Sequence, residues 1–432
     1  MAKDIQGVGL GLAIRFAGSA WAQKYGLAKP AERLAYHSTR NGFKWAGQWL
    51  AKRQPKTPLL AAPQQRQLFD LSLSDEQQMI QDSMRAVASD VLRPMALEAD
   101  QQLSVSAEFF QQCHELGISH LAVPESFGGS ACDDGQSVTT SAVLAEALAW
   151  GDLSLAYTAL APAAVASAIR RWGSAEQQST WLPAFVQEAP YQAAIAVQEP
   201  HPLFEAHNLS CKAHKTRRGF RLTGVKALVP LGGKAELYLV AARLGGKPRV
   251  FIVPADTPGL SFKASPAMGL RCATTGTLTL NKVDVPESHL LGRGEAFDYQ
   301  AFIDLGQLHW CALATGTAQA ALDYLIPYCN EREAFGEPIS HRQSVAFALA
   351  DIAIELESMR LLTWRAAARA DAGMSFHREA YLAHTLCAEK AMQIGTQAVQ
   401  LLGGHGFTKE HPAERWYRDL RALACQTSGL HL

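Results

Sequence analysis

The chain has 432 residues, of which 48% are hydrophobic and 19% charged, and its 40 Lys and Arg balance its 40 Asp and Glu. This composition is typical of a globular protein with a buried core, and the lack of a basic excess argues against nucleic acid as the partner. No apolar run reaches the roughly 18 residues of a membrane-spanning helix. The apolar N-terminal stretch is interrupted by Arg15 and has no clear cleavage site, so a signal peptide is not expected.

The eight cysteines stand singly in the sequence, with no CxxC pair. This spacing predicts reduced thiols in a cytoplasmic protein rather than disulfides or a bound metal.

Residues 1–70 form a basic, aromatic-rich extension that ends in a Pro-rich linker. Residues 1–58 hold ten Lys and Arg against Asp4 and Glu32, a balance of +8, and seven aromatic side chains lie among them. Basic and aromatic residues together are typical of a segment that docks on an anionic membrane surface, which would place the protein at the inner membrane. The alternative is a solvated extension that folds over its own body.

Residues 71–190 show repeated helical periodicity and predict a helical N-terminal domain. The first helix begins after Ser74 as its N-cap, with the acidic Glu76 in its first turn. Further helices are predicted at 106–117, 137–151, 154–172 and 176–188.

Residues 191–295 contain seven short runs that are β-branched or alternate in polarity, separated by Gly, Pro and Asn. This pattern predicts a β-barrel or sandwich domain. Helical periodicity returns in residues 296–432, where the segments 298–330, 341–372 and 376–402 are long enough for a C-terminal helical bundle. The predicted fold class is therefore α+β.

Seven stretches, taken in order and at their spacing, carry a resemblance that covers about residues 71 to 425. They are LSDEQQMI, PESFGG, QEP, TGVKALVPLGGKAELYLVAA, MGLRCATTGTLTLNKVDVPESHLLG, NEREAFGEPISHRQ and QLLGGHGFTKEHPAERWYRD. Together they resemble the acyl-CoA dehydrogenase family. The resemblance implies a helical domain, a β-domain and a four-helix bundle, assembled as a dimer or tetramer, with FAD bound between the last two domains.

The resemblance also implies a reaction on a fatty acyl-CoA thioester. A carboxylate takes the α-proton, the flavin takes the β-hydride, and hydrogen bonds hold the thioester carbonyl. The positions that would bind the FAD diphosphate and adenosine, largely for a neighbouring subunit, are Arg332, Phe335, Gly336, Gln343, Gln400, Gly403 and Gly404. A surface ion pair between Arg332 and a nearby glutamate is the alternative for that residue.

At the flavin ring the chain departs from the family pattern. Val197, Gln198, Leu228 and Pro230 stand at positions expected to line the cofactor, but Leu228 replaces the usual Trp. Pro230 replaces a Thr and has neither a hydroxyl nor a backbone N–H to donate. The family loop T-E-P-G-A-G-S-D reads QEPHPLFE at 198–205, which removes its glycines and serine.

The family's catalytic glutamate is missing. The resemblance places it at Thr427, or at Gln426 if one residue is deleted, and in some relatives at the position of Gly306. Asp304 is two residues from Gly306, roughly on the opposite helix face, and is expected to be a surface or capping carboxylate.

Three hypotheses follow from these residues. The first is an acyl-CoA dehydrogenase-like enzyme whose base is Glu199, Glu205 or Asp304. The second is a non-catalytic subunit that completes the FAD site of an active homologue. The third is a membrane-docked scaffold, which depends only on the N-terminal extension.

Overall fold

The computed structural model describes residues 71–131, 137–294 and 297–426, and all structural statements below concern these residues. The basic extension at 1–70 and the predicted base position Thr427 lie outside this part of the chain.

The helical N-terminal region begins where the sequence predicts. The Ser74 hydroxyl accepts from the Gln77 backbone N–H (3.2 Å), and the Gln77 side-chain oxygen accepts from the Ser74 N–H (3.0 Å), so the partner that closes the capping box is Gln77. A short π-helical turn, Ala88–Leu92, joins the first two helices. The helices are α1 Asp75–Val87, α2 Arg93–Gln102, α3 Ala107–Glu115, α4 Val138–Ala149, α5 Leu153–Trp172 and α6 Ala175–Trp181.

Helix α5 is long and apolar enough to cross a membrane, but 94% of its most apolar window is buried inside the fold. Its all-round hydrophobicity reflects packing on every side by other helices and by the first strand of the sheet, Ala193–Ala196. It therefore serves as a core helix in this structure.

All seven predicted β-runs form strands. Strand β4 pairs with β5 along one edge, and its other edge is shared by β1 at Leu237–Val240 and β2 at Arg243–Leu244. The sheet continues from β2 through β3 and β7 to β6. The strands are β1 Ala193–Ala196, β2 Lys212–Thr216, β3 Gly219–Val229, β4 Leu237–Leu244, β5 Lys247–Pro254, β6 Leu260–Ala264 and β7 Gly276–Pro286.

The C-terminal region is a bundle in which α7 is the central helix. It packs against α4, α8 and α9, and a short hairpin of β8 and β9 joins α7 to α8. Residues of α7 are buried almost all round, which explains why its apolar residues show little preference for one face. The elements are α7 Tyr299–Glu331, β8 Glu333–Ala334, β9 Glu337–Pro338, α8 Gln343–Asp371, α9 His377–Leu402 and α10 Ala413–Leu420.

Buried ion pairs fasten α10 to the N-terminal helices. The Arg415 guanidinium donates to Asp152, the N-cap of α5 (2.9 Å), and Arg418 forms a two-pronged bond with Asp100 of α2 (2.8 and 2.9 Å). Bidentate guanidinium–carboxylate bonds fix orientation as well as distance. The end of the bundle is thus locked to the first helical region.

Candidate functional site

A cavity of about 380 Å³ lies where α7 and α9 end. Arg332 is the C-cap of α7, and Gln400, Gly403 and Gly404 close α9, so four of the residues predicted to bind FAD line one cavity. Gly403 has φ +59, a conformation that suits glycine, and a Cβ on either glycine would project into open space. The backbone of this turn is therefore open to a ligand.

The charge of Arg332 is not neutralised by the neighbouring glutamates. Within the described residues Arg332 has no salt bridge, whereas Glu337 pairs with Arg342 (3.3 Å) and with His341 (3.4 Å). The surface ion pair considered from the sequence is therefore not formed. An exposed guanidinium beside two open glycines suits a diphosphate, because arginine bonds phosphate oxygens in pairs.

The other three predicted residues of this group lie on the exposed surface next to the cavity. Phe335 is 97% exposed at the tip of the β8–β9 hairpin, has φ +57, and carries the Arg342 guanidinium over its ring at 5.5 Å. Gly336 follows with φ +83, and Gln343 is the exposed first residue of α8.

Sequence reasoning missed an aromatic network at the same cavity. The Tyr328 hydroxyl is 3.0 Å from His405 Nδ1, the Tyr324 hydroxyl is 2.6 Å from His411 Nδ1, and the two imidazole rings lie 5.5 Å apart. Tyr328 and His405 line the cavity directly. The i, i+4 spacing of the two tyrosines was the only sequence signal for it.

The second group of predicted FAD residues lies at the end of β1, against β3. The Val197 carbonyl accepts from Lys226 Nζ (3.0 Å), and the Gln198 carbonyl accepts from the Ala227 N–H (2.9 Å). β3 is irregular between Lys226 and Val229, and Leu228 sits there with φ +54. The structure therefore brings Val197, Gln198 and Leu228 together.

Pro230 follows directly, buried and in extended conformation. In the loop before β2, Leu203 is 97% exposed with φ +51, at one of the positions where the family loop has glycine. Both the shape and the hydrogen-bonding capacity of this region therefore depart from the family pattern.

Glu199, one of the predicted bases, has a structural role here. Its carboxylate is 1% exposed and accepts from Lys226 Nζ (2.8 Å) and from the backbone N–H groups of Ser210 (2.7 Å) and Cys211 (2.9 Å). Burial opposes ionisation, but the ammonium and the backbone donors outweigh it and lower the pKa of Glu199 below its usual value. A carboxylate held in this way is a poor proton acceptor.

The other positions considered for the catalytic base are Asp304, Gly306 and Glu205. Asp304 was predicted to be a surface or capping carboxylate, but it is only 2% exposed, and its two oxygens lie 3.0 and 3.1 Å from His377 Nδ1. The prediction was wrong because the first residue of α9 packs over this point of α7. Gly306 is buried in α7 and has no ionisable group, and Glu205 is exposed in its loop.

The comparisons with known proteins bear on every described region. Models of the N-terminal, middle and C-terminal domains of acyl-CoA dehydrogenase match residues 74–189, 194–283 and 297–426. The mouse mitochondrial short-chain specific acyl-CoA dehydrogenase is 32% identical, covering 81% of this chain and 86% of that protein. A probable acyl-CoA dehydrogenase of Bacillus subtilis is also 32% identical, covering 82% and 95%.

Solved structures agree with these relatives. Butyryl-CoA dehydrogenase from Megasphaera elsdenii has a TM-score of 0.76 and 30% identity, covering 83% of this chain and 96% of that one. PigA with FAD and proline has the same TM-score and coverage at 25% identity.

The fold and these relatives define the class as an FAD-dependent flavoprotein oxidoreductase. The chain belongs to the acyl-CoA dehydrogenase family. The predictions of an α+β fold, of this family and of FAD as cofactor are confirmed. When bound, FAD supplies the hydride acceptor, and Arg332 with the Gly403–Gly404 turn fits its anionic diphosphate.

Proposed function

We propose that this protein catalyses the α,β-oxidation of an acyl-CoA thioester with FAD as the hydride acceptor. The observation that carries the proposal is the cavity in which an unneutralised Arg332 faces the Gly403–Gly404 turn. Such a positive, open site is what an anionic dinucleotide cofactor requires, and family membership supplies the chemistry.

We further propose that this cavity completes the FAD site of a neighbouring chain in a homo-oligomer. Beside the cavity, Phe335 is 97% exposed and Phe407 is 89% exposed. On α8, Phe347, Ile354 and Leu361 follow at seven-residue spacing and are 49–64% exposed, which makes one apolar stripe. Exposed aromatic and aliphatic groups next to a cofactor cavity support an interface at which a second subunit covers them.

The test uses the full-length protein, purified without added cofactor. We expect an oligomer with a bound-flavin absorbance spectrum, and bleaching of the flavin band when acyl-CoA is added anaerobically. A series of acyl-CoA chain lengths would identify the substrate. A flavin-loaded oligomer that no acyl-CoA reduces would contradict the proposed reaction.

The second candidate is a non-catalytic subunit that donates the Arg332 cavity to an active homologue. It is favoured by the contrast between that cavity and the flavin-ring region, where Pro230 and Leu203 replace residues of the family pattern. Under this hypothesis the protein purifies without flavin alone, and acquires flavin and activity only when co-expressed with the homologue. Flavin bound by the protein alone and reduced by acyl-CoA would exclude it.

The role proposed for residues 1–70 is docking of a cytoplasmic protein on the inner membrane surface. The +8 balance of residues 1–58 and their seven aromatic side chains support it. We expect the full chain, but not a chain starting at residue 71, to float with phosphatidylglycerol vesicles, and less so at high salt. Equal flotation of both chains would remove this role, and with it the scaffold hypothesis.

A further inference from the structure

His405 lies in the same cavity as Arg332, in the turn that follows α9. The inference that follows rests on the proposed binding of FAD in this cavity. The space is about 380 Å³, and none of the described residues that line it is acidic. A bound anion therefore meets hydrogen-bond donors there and no carboxylate.

A hydrogen bond to Tyr328 fixes the imidazole ring of His405. The Tyr328 hydroxyl lies 3.0 Å from Nδ1 of His405 and 3.4 Å from the Leu402 carbonyl oxygen. Because O–H···O bonds span about 2.5–3.0 Å, the carbonyl is beyond the usual range and the hydroxyl donates to Nδ1. The neutral ring then carries its proton on Nε2, and an imidazolium carries one there as well. Nε2 is thus a donor in either charge state.

This Nε2 donor is available to a ligand. Among the described residues it has no hydrogen-bond partner, and His405 is only half-buried. The side chain borders the cavity together with the Arg332 guanidinium and the open Gly403–Gly404 backbone. Several donors around one space suit a diphosphate, because each phosphate group offers several strong acceptor oxygens.

A second tyrosine–histidine pair lies behind the first. The Tyr324 hydroxyl is 2.6 Å from Nδ1 of His411, whose ring is 5.5 Å from that of His405 and 5.7 Å from that of Tyr328. Neither Tyr324 nor His411 is among the residues that line the cavity. The second pair therefore packs against the first without bordering the ligand space.

We propose that His405 Nε2 donates a hydrogen bond to the diphosphate of FAD and that Tyr328 holds the imidazole in the orientation this bond requires. His405 contacts the cofactor directly, whereas Tyr328 is a positioning residue that acts through His405. The contact adds to the binding supplied by Arg332 and the Gly403–Gly404 turn.

The alternative is that His405 serves only to shape the turn after α9. Two substitutions separate shape from hydrogen bonding. His405→Phe keeps an aromatic ring but has no donor, whereas His405→Gln has no ring but carries an amide N–H at about the position of Nε2. A role in shape is better preserved by Phe, and a role as donor by Gln.

The experiment measures the FAD dissociation constant of the full-length protein by equilibrium dialysis. We expect His405→Phe to raise it about 10-fold, the low end of the range for a hydrogen bond to a charged group, and His405→Gln to stay within about 3-fold of the wild type. Tyr328→Phe should raise it about 2–5-fold, because the imidazole remains but loses the bond that orients it. The matched comparison is Tyr324→Phe, which should bind FAD as the wild type does.

ADP tests where on the cofactor the contact lies, because it carries the diphosphate without the flavin. Its dissociation constant, measured by competition with FAD, should rise in His405→Phe by the same factor as that of FAD. A loss for FAD without a loss for ADP would overturn the assignment to the diphosphate.

An unchanged FAD constant in His405→Phe, or equal weakening by the Phe and Gln substitutions, would overturn the role of His405. Equal weakening by Tyr324→Phe and Tyr328→Phe would overturn that of Tyr328. If His405→Phe failed to fold, an unchanged constant in Tyr328→Phe would still overturn the proposal. A wild-type protein that binds FAD but is reduced by no acyl-CoA would instead contradict the proposed reaction, and these binding measurements would still decide the role of His405.

Discussion

At the end of α7 the guanidinium of Arg332 faces an open cavity and has no carboxylate partner among the described residues. At the end of β1, by contrast, the carboxylate of Glu199 is enclosed by Lys226 and two backbone N–H groups. Both regions hold residues predicted to bind FAD. The difference indicates that charge is left free for a ligand in the first region and is used for folding in the second. Substitutions should therefore change ligand affinity at α7 and stability at β1.

The largest expected effect is a loss of stability when the buried Glu199–Lys226 pair at the end of β1 is broken. Lys226 is 0% exposed, and Lys226→Met would leave the Glu199 carboxylate buried without its counter-ion. Removing one partner of a buried ion pair costs about 3–5 kcal/mol, which a urea unfolding curve measures as a shift in ΔG of unfolding.

The matched control for Lys226 is Lys215→Met, since Lys215 pairs with Glu287 at 3.0 Å but the two side chains are 70% and 68% exposed. Exposed pairs contribute about 0–1 kcal/mol. If both variants lost the same free energy of unfolding, burial would not make the Glu199–Lys226 pair more stabilising than an exposed pair.

On the open side, Arg332→Ala should leave the fold intact and weaken FAD binding. A hydrogen bond to a charged group is worth about 1.5–3 kcal/mol, so the FAD dissociation constant should rise about 10–100-fold. Titration of the apoprotein, followed by flavin fluorescence, gives this constant. Lys409→Ala, another exposed cation near the α9 turn, should bind FAD as the wild type does.

Helix α10 also holds a buried carboxyl group, that of Asp419, whose protonation affects stability. Burial, and then the nearby Asp152 carboxylate, raise the pKa of Asp419 to about 7, although its oxygen accepts from the Leu270 N–H (2.7 Å). The unfolded value is about 3.9, so the folded state binds the proton more tightly. This contribution is fully present below about pH 4 and is lost as the pH rises through about 7.

Asp419→Asn keeps the oxygen that accepts from Leu270 but does not titrate. Urea unfolding at pH 5 to 8 should show that wild-type stability falls relative to this variant as the pH rises, by at most about 1.4 kcal/mol per unit. Asp256→Asn, at an exposed turn, should run parallel to the wild type. A constant difference between wild type and Asp419→Asn would contradict the raised pKa.

These regions also show what the sequence could predict. Helix and strand segments follow from local periodicity, and the ordered motifs indicated the family. The same motifs predict that the residues around Arg332 bind FAD, and each motif lies within a short stretch of chain. Gln400, Gly403 and Gly404 fall in one such motif. The fold class and the cofactor were therefore predictable without any long-range contact.

Pairings between distant residues were not predictable in this way. Glu199 and Lys226 are buried together only because β1 ends beside the irregular part of β3, and Asp304 meets His377 only because α9 starts over α7. A residue type shows that a group can ionise but not which partner it has. For this reason Glu199 and Asp304 were plausible bases in the sequence and are engaged carboxylates in the structure.

The smallest expected effect on stability concerns the loop before β2, where Leu203 stands at a position that is glycine in the family pattern. The prediction tests whether this replacement strains the backbone. Leu203 has φ +51, a left-handed conformation that costs a residue with a Cβ about 1–2 kcal/mol relative to glycine, and its side chain is 97% exposed, so little packing offsets this cost. Leu203→Gly should therefore stabilise the protein by about 1 kcal/mol, less the larger unfolded-state entropy of glycine, as measured by urea unfolding. Leu116→Gly, at a residue with φ −74, should destabilise it. Destabilisation by Leu203→Gly would mean that this side chain is held by contacts in the assembled protein, and the exposed loop would then belong with the interface residues around Phe335.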